Sequence, residues 1–192
     1  MEPLSAHVRV IEGDRDARGL RFCIVVARFN AFITEQMLGG AIDTLVRSGA
    51  NPADIEVIRT PGSFEIPMVV QEVLERGGCD AVIALGCLIK GDTIHFDLIA
   101  AEATKGLASA SMAHRIPVAF GVITTNTLEQ AIDRAGAKMG NKGAEAADAA
   151  IEQARLYARI RETGASASSS AKPKATKTAS KRATSRRGTK RG

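Results

Sequence analysis

A short apolar run, Ala81–Leu85, breaks into Gly86-Cys87-Leu88-Ile89-Lys90-Gly91-Asp92-Thr93-Ile94-His95, and a helix-type pattern follows. Two glycines, an acidic side chain, a hydroxyl and an imidazole thus share one loop between a strand and a helix. Chains of the α/β type place their ligands at the C-terminal ends of strands. His95 is one of three histidines in the chain. Its free pKa, about 6.5, suits proton transfer near neutrality. A single histidine suits a structural role equally well, so the catalytic reading needs other polar groups nearby. Asp92 and Thr93 read as helix-capping residues or as part of an anion site, because the free N–H groups of a helix start favour phosphate. The Asp92 carboxylate repels a phosphate, so backbone donors would have to dominate there.

Two further polar clusters follow apolar runs. Arg28-Phe29-Asn30 comes after Arg21–Ala27, and Pro61-Gly62-Ser63-Phe64-Glu65 comes after Ile55–Thr60. In an open parallel sheet these strand ends share one edge, so the three clusters can converge on one ligand. Phe29 suits either the core or a flat apolar wall for a planar ring. Ser63 and Glu65 suit helix capping, with Ser63 as N-cap and Glu65 near the positive end of the helix dipole. They also offer a hydroxyl, N–H groups and a carboxylate to a polyhydroxylated chain. Arg134, Lys138 and Lys142 recur at spacings of four, as on a solvated helix face. Arg134 is also suited to bidentate phosphate binding. With no serine elbow and no HExxH pattern, a Ser-His-Asp hydrolase or a zinc enzyme has little support.

The elements that must hold these residues alternate along the chain. Strand-type runs cover Arg21–Ala27, Ile55–Thr60, Ala81–Leu85 and Pro117–Ile123. Each precedes a helical stripe: Leu38, Ala41, Ile42, Leu45 and Val46; Ile66, Val69, Val70, Val73 and Leu74; Phe96, Ile99, Ala100, Ala103 and Leu107; Leu128, Ala131, Ile132 and Ala135. An Ala-rich helix from Lys142 to Ile160 closes the domain. Four such alternations imply right-handed crossovers with helices on both faces: an α/β fold, a three-layer αβα sandwich around a four-stranded parallel sheet. Val8–Glu12 reads as an extra short strand that pairs with an edge on a neighbouring subunit.

A chain of 192 residues fits one domain with appendages: an arm over 1–19, a catalytic domain over 20–161 and a tail over 162–192. The apolar runs are too short to span a membrane. Met1–Ser5 lacks the features of a signal peptide. Three cysteines without metal-ligand spacing, Cys23, Cys79 and Cys87, read as reduced thiols in a cytoplasmic protein. The net charge of +5 hides two regions. Gly164–Gly192 holds nine Lys or Arg and no acid, leaving 17 basic against 21 acidic residues before it, a net of −4. The tail has no large apolar residue to offset its ordering entropy and reads as disordered. It lacks aromatic residues for base stacking. It is either a solvated segment or a non-specific, salt-sensitive contact for nucleic acid or acidic protein.

Four segments together resemble the lumazine synthase family: Arg28-Phe29-Asn30, Pro61 through Pro67, Gly86 through His95, and Arg134 through Gly143. They occur in the family's order and spacing, and the resemblance spans Arg21 to Leu156. It implies a flavodoxin-like fold and a reaction without cofactor or metal. The implied reaction condenses 5-amino-6-(D-ribitylamino)uracil with 3,4-dihydroxy-2-butanone 4-phosphate. By this resemblance Phe29 stacks on the pyrimidine, Ser63, Phe64 and Glu65 hold the ribityl chain, and Cys87, Leu88 and Ile89 bind the uracil edge through backbone. Asp92 and Thr93 bind phosphate at the helix start, and His95 transfers protons. Phe120 and Arg134 come from the neighbouring subunit, with Arg134 on the phosphate and Lys138 close by. The implied assembly is a homopentamer, and the short Gly136–Gly143 turn permits a 60-subunit shell. Lys90, Ile94 and Cys87 depart from the commonest family pattern without removing a role-bearing group. A flavin- or lumazine-binding protein with poor turnover is the competing reading, and His95 and Arg134 argue against it.

Overall fold

The computed structural model describes residues 8–169. Strand β1 (Phe22–Ala27) alternates between two cores, as a period of two requires. Phe22, Ile24 and Val26 join one core, and Cys23, Val25 and Ala27 join the other. Helix α1 (Ala31–Arg47) lays Ile33, Met37, Ala41 and Leu45 on the first core, where helix α5 (Lys142–Ser169) adds Ala147, Ala150 and Ile151. Helix α2 (Ile66–Arg76) and helix α3 (His95–His114) cover the opposite face with Val70, Val73, Leu74, Leu107 and Ala110. The small residues of α5 let it approach α1 closely. A methyl group at Gly143 would lie 2.0 Å from the Met37 carbonyl oxygen, so only glycine fits there.

Strands β2 (Ile55–Thr60), β3 (Ala81–Ile89) and β4 (Val118–Thr125) complete a four-stranded sheet of order β2-β1-β3-β4. Every pairing is parallel. The expected αβα sandwich and its four-stranded parallel sheet are therefore present. Helix α4 (Leu128–Arg134) leads into a small antiparallel hairpin of β5 (Ala135–Ala137) and β6 (Gly140–Asn141).

Several boundaries differ from the sequence reading. Strand β3 runs past Gly86 to Ile89, so Cys87, Leu88 and Ile89 are strand residues rather than loop. Helix α2 starts at Ile66 with Glu65 at the cap position and no side-chain cap bond, so Ser63 does not cap it. Arg134, Lys138 and Lys142 share no helix face, because the hairpin separates α4 from α5. Helix α5 continues to Ser169, beyond Ile160 and into the segment read as a disordered tail from Gly164, because an apolar stripe marks only the packed part of a helix. The tail from residue 170 lies outside the described residues.

Val8–Glu12 forms no strand in this chain, and Val8 and Val10 are exposed. A strand needs a ladder partner, and the arm instead follows α5. Arg159 donates to the Glu12 carbonyl and pairs with Asp14, while Arg155 Nε donates to the Asp16 carbonyl at 2.7 Å.

Candidate functional site

The strand order places β2 and β3 on opposite sides of β1. β1 and β3 are therefore neighbours, yet β1 leads into α1 on one face of the sheet and β3 leads into α3 on the other, which opens a crevice between their C-terminal ends. Register sharpens this. The β1–β3 ladder stops at Val26–Leu85, whereas β3 stays paired with β4 as far as Ile89–Thr125. Beyond Leu85 the β1-facing edge of β3 therefore has no strand partner. Successive strand residues turn their backbone groups to alternate sides. Lys90 N–H donates to Thr125 C=O on the β4 side at 2.8 Å. By that alternation Cys87 and Ile89 face the vacated side, and they present donor and acceptor groups there.

A cavity of about 760 Å³ fills the crevice. It gathers all three strand-end clusters. Phe29 lines it with a ring 69% exposed, although its backbone is fixed: Arg28 and Phe29 N–H donate to the Thr60 and Pro61 carbonyls at 2.8 and 2.9 Å. Ser63, Phe64 and Glu65 line the wall after β2. Ser63 is 5% exposed and lies over the sheet, since a methyl group at Gly86 would meet its Oγ at 2.6 Å. That close approach explains a glycine inside β3. The Glu65 carboxylate makes no capping bond to α2, so it is not committed to the helix start.

Cys87, Leu88, Ile89, Gly91, Thr93 and His95 form the β3–α3 side. His95 is the first residue of α3 and is exposed. Its N–H donates to Thr93 Oγ1 at 3.5 Å, a long contact. Asp92 is exposed in the same loop but does not line the cavity. Glu102, which the sequence reading passed over, also lines it. It lies seven residues after His95, two turns along one face of α3. That spacing was the available signal, but a carboxylate on a helix usually marks a solvated face.

The Cys87 side chain is buried in the core against α1, so only its backbone can reach the cavity. Burial pushes its thiol up to about 11 and the Cys23 thiol to about 12. Both stay protonated at neutral pH and are poor nucleophiles. Iodoacetamide at pH 8 should leave both unmodified in the folded protein, and Cys87→Ala should leave turnover little changed. Alkylation of Cys87 without denaturant, read by peptide mass, would contradict this placement.

Apart from the buried Cys87 thiol, the charged or titratable lining residues are Glu65, Glu102 and His95, with no Lys or Arg. The cations lie elsewhere. Phe120 and Arg134 line a second cavity of about 410 Å³ beside β4, together with Lys142 and Glu145. Arg134 is held there by a bond from its guanidinium to the Gln130 carbonyl at 3.0 Å. Lys138 is exposed in the β5–β6 turn and lines neither cavity. One chain therefore carries an aromatic, hydroxyl- and imidazole-bearing crevice and, apart from it, a half-exposed phenyl ring beside a guanidinium. No group of three or more His, Cys, Asp or Glu side chains among the described residues is placed to hold a metal ion.

A family model described as 6,7-dimethyl-8-ribityllumazine synthase matches residues 19–158. The chain is 54% identical over 153 residues to a protein of Chlorobaculum tepidum named 6,7-dimethyl-8-ribityllumazine synthase. The alignment covers 80% of this chain and 99% of that relative.

Proposed function

The chain belongs to the 6,7-dimethyl-8-ribityllumazine synthase family, and from that membership we infer how its residues divide the work of the reaction. The protein is a transferase of riboflavin biosynthesis. It condenses 5-amino-6-(D-ribitylamino)uracil with 3,4-dihydroxy-2-butanone 4-phosphate. The assignment of residues rests on one observation: three strand-end clusters, separate in sequence, line one crevice.

In this reading Phe29 stacks on the pyrimidine ring. The vacated edge of β3 meets the uracil amide edge through the backbone groups of Cys87 and Ile89, with Leu88 between them in the same strand segment. Ser63, Phe64 and Glu65 take the ribityl hydroxyls. Thr93 and the N–H groups at the start of α3 hold the phosphate of the second substrate, with Asp92 in the same loop. Arg134 of a neighbouring copy supplies the missing cation, Phe120 of that copy closes the aromatic wall, and Lys138 lies nearby. The amine and the ketone form an imine, phosphate leaves, and the ring closes with loss of water. His95 carries protons between these steps. The chain needs no cofactor in this scheme. Mixing the purified protein with both substrates should produce lumazine fluorescence. No product, together with tight flavin binding, would turn the reading to a carrier on an enzyme's scaffold.

A site divided between copies requires a homo-oligomer. We propose a pentamer, with the short β5–β6 turn compatible with a 60-subunit shell. In that assembly the exposed Val8–Glu12 segment would find its strand partner on a neighbour. No helix among the described residues is long and apolar enough to cross a membrane, and a cytoplasmic location fits the three free thiols. For the basic tail we propose only weak, non-specific contact with polyanions. RNA carried by the full-length protein at low salt should be lost as salt rises toward 0.2 M and on deletion of 170–192. RNA retained after that deletion would remove the tail from consideration.

A further inference from the structure

We infer that Asn30 is a positioning residue for the aminouracil: its amide takes the place of the β1 strand on the free edge of β3. The inference rests on the reading of that edge as the uracil-binding surface.

Strand β1 ends at Ala27, and its ladder with β3 ends at Val26–Leu85. Three residues after its end, the chain turns sharply. Asn30 adopts the left-handed conformation, with φ 58° and ψ 42°. Asparagine tolerates that region better than other non-glycine residues, because its short side chain bonds locally. Here the side chain reaches across the crevice instead. Its Nδ2 donates to the Cys87 carbonyl at 2.9 Å. A carbonyl left unpaired in a half-buried groove has lost its water without gaining a partner.

The consequence is geometric. The Asn30 amide occupies the Cys87 carbonyl with one hydrogen bond, so the Ile89 backbone groups are the part of this edge that no strand and no tether engages. It also fixes the distance between the two walls of the crevice. Phe29, the ring wall, is adjacent to Asn30 in sequence, and Cys87–Ile89 is the opposing backbone wall. The turn itself is anchored separately, because Ile33 and Thr34 N–H both donate to the Asn30 carbonyl to start α1. Those bonds come from the backbone and survive a change to a residue that also tolerates the left-handed conformation. The backbone role and the side-chain role of Asn30 can thus be separated by mutation.

Asn30→Gly keeps the left-handed turn and removes the amide. Asn30→Asp keeps the turn and the shape, but presents a carboxylate oxygen to the Cys87 carbonyl in place of a donor. Both variants should raise KM for the aminouracil about 10- to 100-fold, the scale of small misplacements in a site. KM for the butanone phosphate and the thermal midpoint should change little. A merely structural role would instead lower stability and shift both KM values together. Wild-type aminouracil KM in Asn30→Gly would overturn the inference; if that variant does not fold, the same reading of Asn30→Asp decides. Phe29→Ala serves as the control for the underlying site. If it too leaves aminouracil KM unchanged, the placement of the aminouracil has failed, and not the tether alone.

Discussion

Replacing His95 with alanine is expected to lower kcat by roughly 10²–10⁴-fold, the usual contribution of a positioned proton carrier, while product still forms. The argument comes from dividing the work between groups. In the proposed arrangement the crevice lined by Phe29 and the β3 edge takes the flat ring, and the α3 start takes the second substrate beside it. Bringing two reactants into register can contribute ~7–11 kcal/mol to the barrier reduction. Removal of the imidazole leaves that contribution in place. His95 lies at the cavity wall and its ring is exposed, so water can reach the reacting atoms and relay protons slowly once the ring is gone. Both KM values should stay near those of the parent, because the ring binds neither the uracil edge nor the phosphate. Steady-state kinetics on a folded His95→Ala protein decides. Complete loss of turnover would mean that proton transfer, rather than juxtaposition, limits the reaction. A tenfold rise in KM for the butanone phosphate would make His95 a binding residue instead.

How much of this was legible in the sequence depended on which physical signal each element carries. Strand β2 matches its reading at both ends, Ile55 and Thr60, and β1 differs by one residue. Short runs rich in β-branched residues and bounded by turn residues announce themselves, whether buried on both faces like β1 or half-exposed like β2. Strand β3 did not, because Gly86 looked like a terminator. The glycine is there for the closeness of Ser63 and Ile66, a tertiary contact that no local pattern encodes. Correcting that end matters for function: it turns Cys87–Ile89 from loop into a strand edge with a defined direction of hydrogen bonding. The N-terminal arm misled in the opposite sense. Val8 and Val10 alternate with polar Arg9 like a strand, but nothing among the described residues offers them a ladder.

The site shows a similar division. Phe29, Ser63, Phe64, Glu65, Thr93 and His95 converge because parallel strands end on one edge, which the alternation of elements already implied. Glu102 and the Asn30 tether stayed hidden, one on an outwardly ordinary helix face and the other in a bond between residues 57 apart in the chain. The separation of Phe120 from the crevice follows from strand order, and Arg134 lies at the end of α4, the helix that follows β4. With β4 at the sheet edge, its outward residues cannot reach the β1–β3 gap of the same chain. Composition and spacing carry no information about strand order, so the assignment of these two residues to a neighbour came from family resemblance alone. What the single chain adds is that the two residues lie together in a second cavity, apart from the crevice.

That separation leads to the sharpest test. Arg134→Ala should raise KM for the butanone phosphate by about 10- to 100-fold, the cost of losing a charge-assisted hydrogen bond worth ~1.5–3 kcal/mol. Its crevice, with His95, remains intact. His95→Ala has the opposite defect, a damaged crevice with an intact Arg134. In a closed ring of head-to-tail interfaces every crevice meets the neighbour's Arg134. Random co-assembly of the two variants in equal amounts then gives about one crevice in four with both groups native. At low butanone phosphate the mixed oligomer should therefore work at about a quarter of the parent rate, well above either variant alone. Mixing the assembled variants without subunit exchange should give no such gain. If both groups served the site of their own chain, every crevice in the mixture would lack one of them. Co-assembly would then add nothing beyond the average of the two variants. Absence of recovery in oligomers shown by mass to contain both chains would remove Arg134 from the neighbour's site, and with it the need for an oligomer in the chemistry.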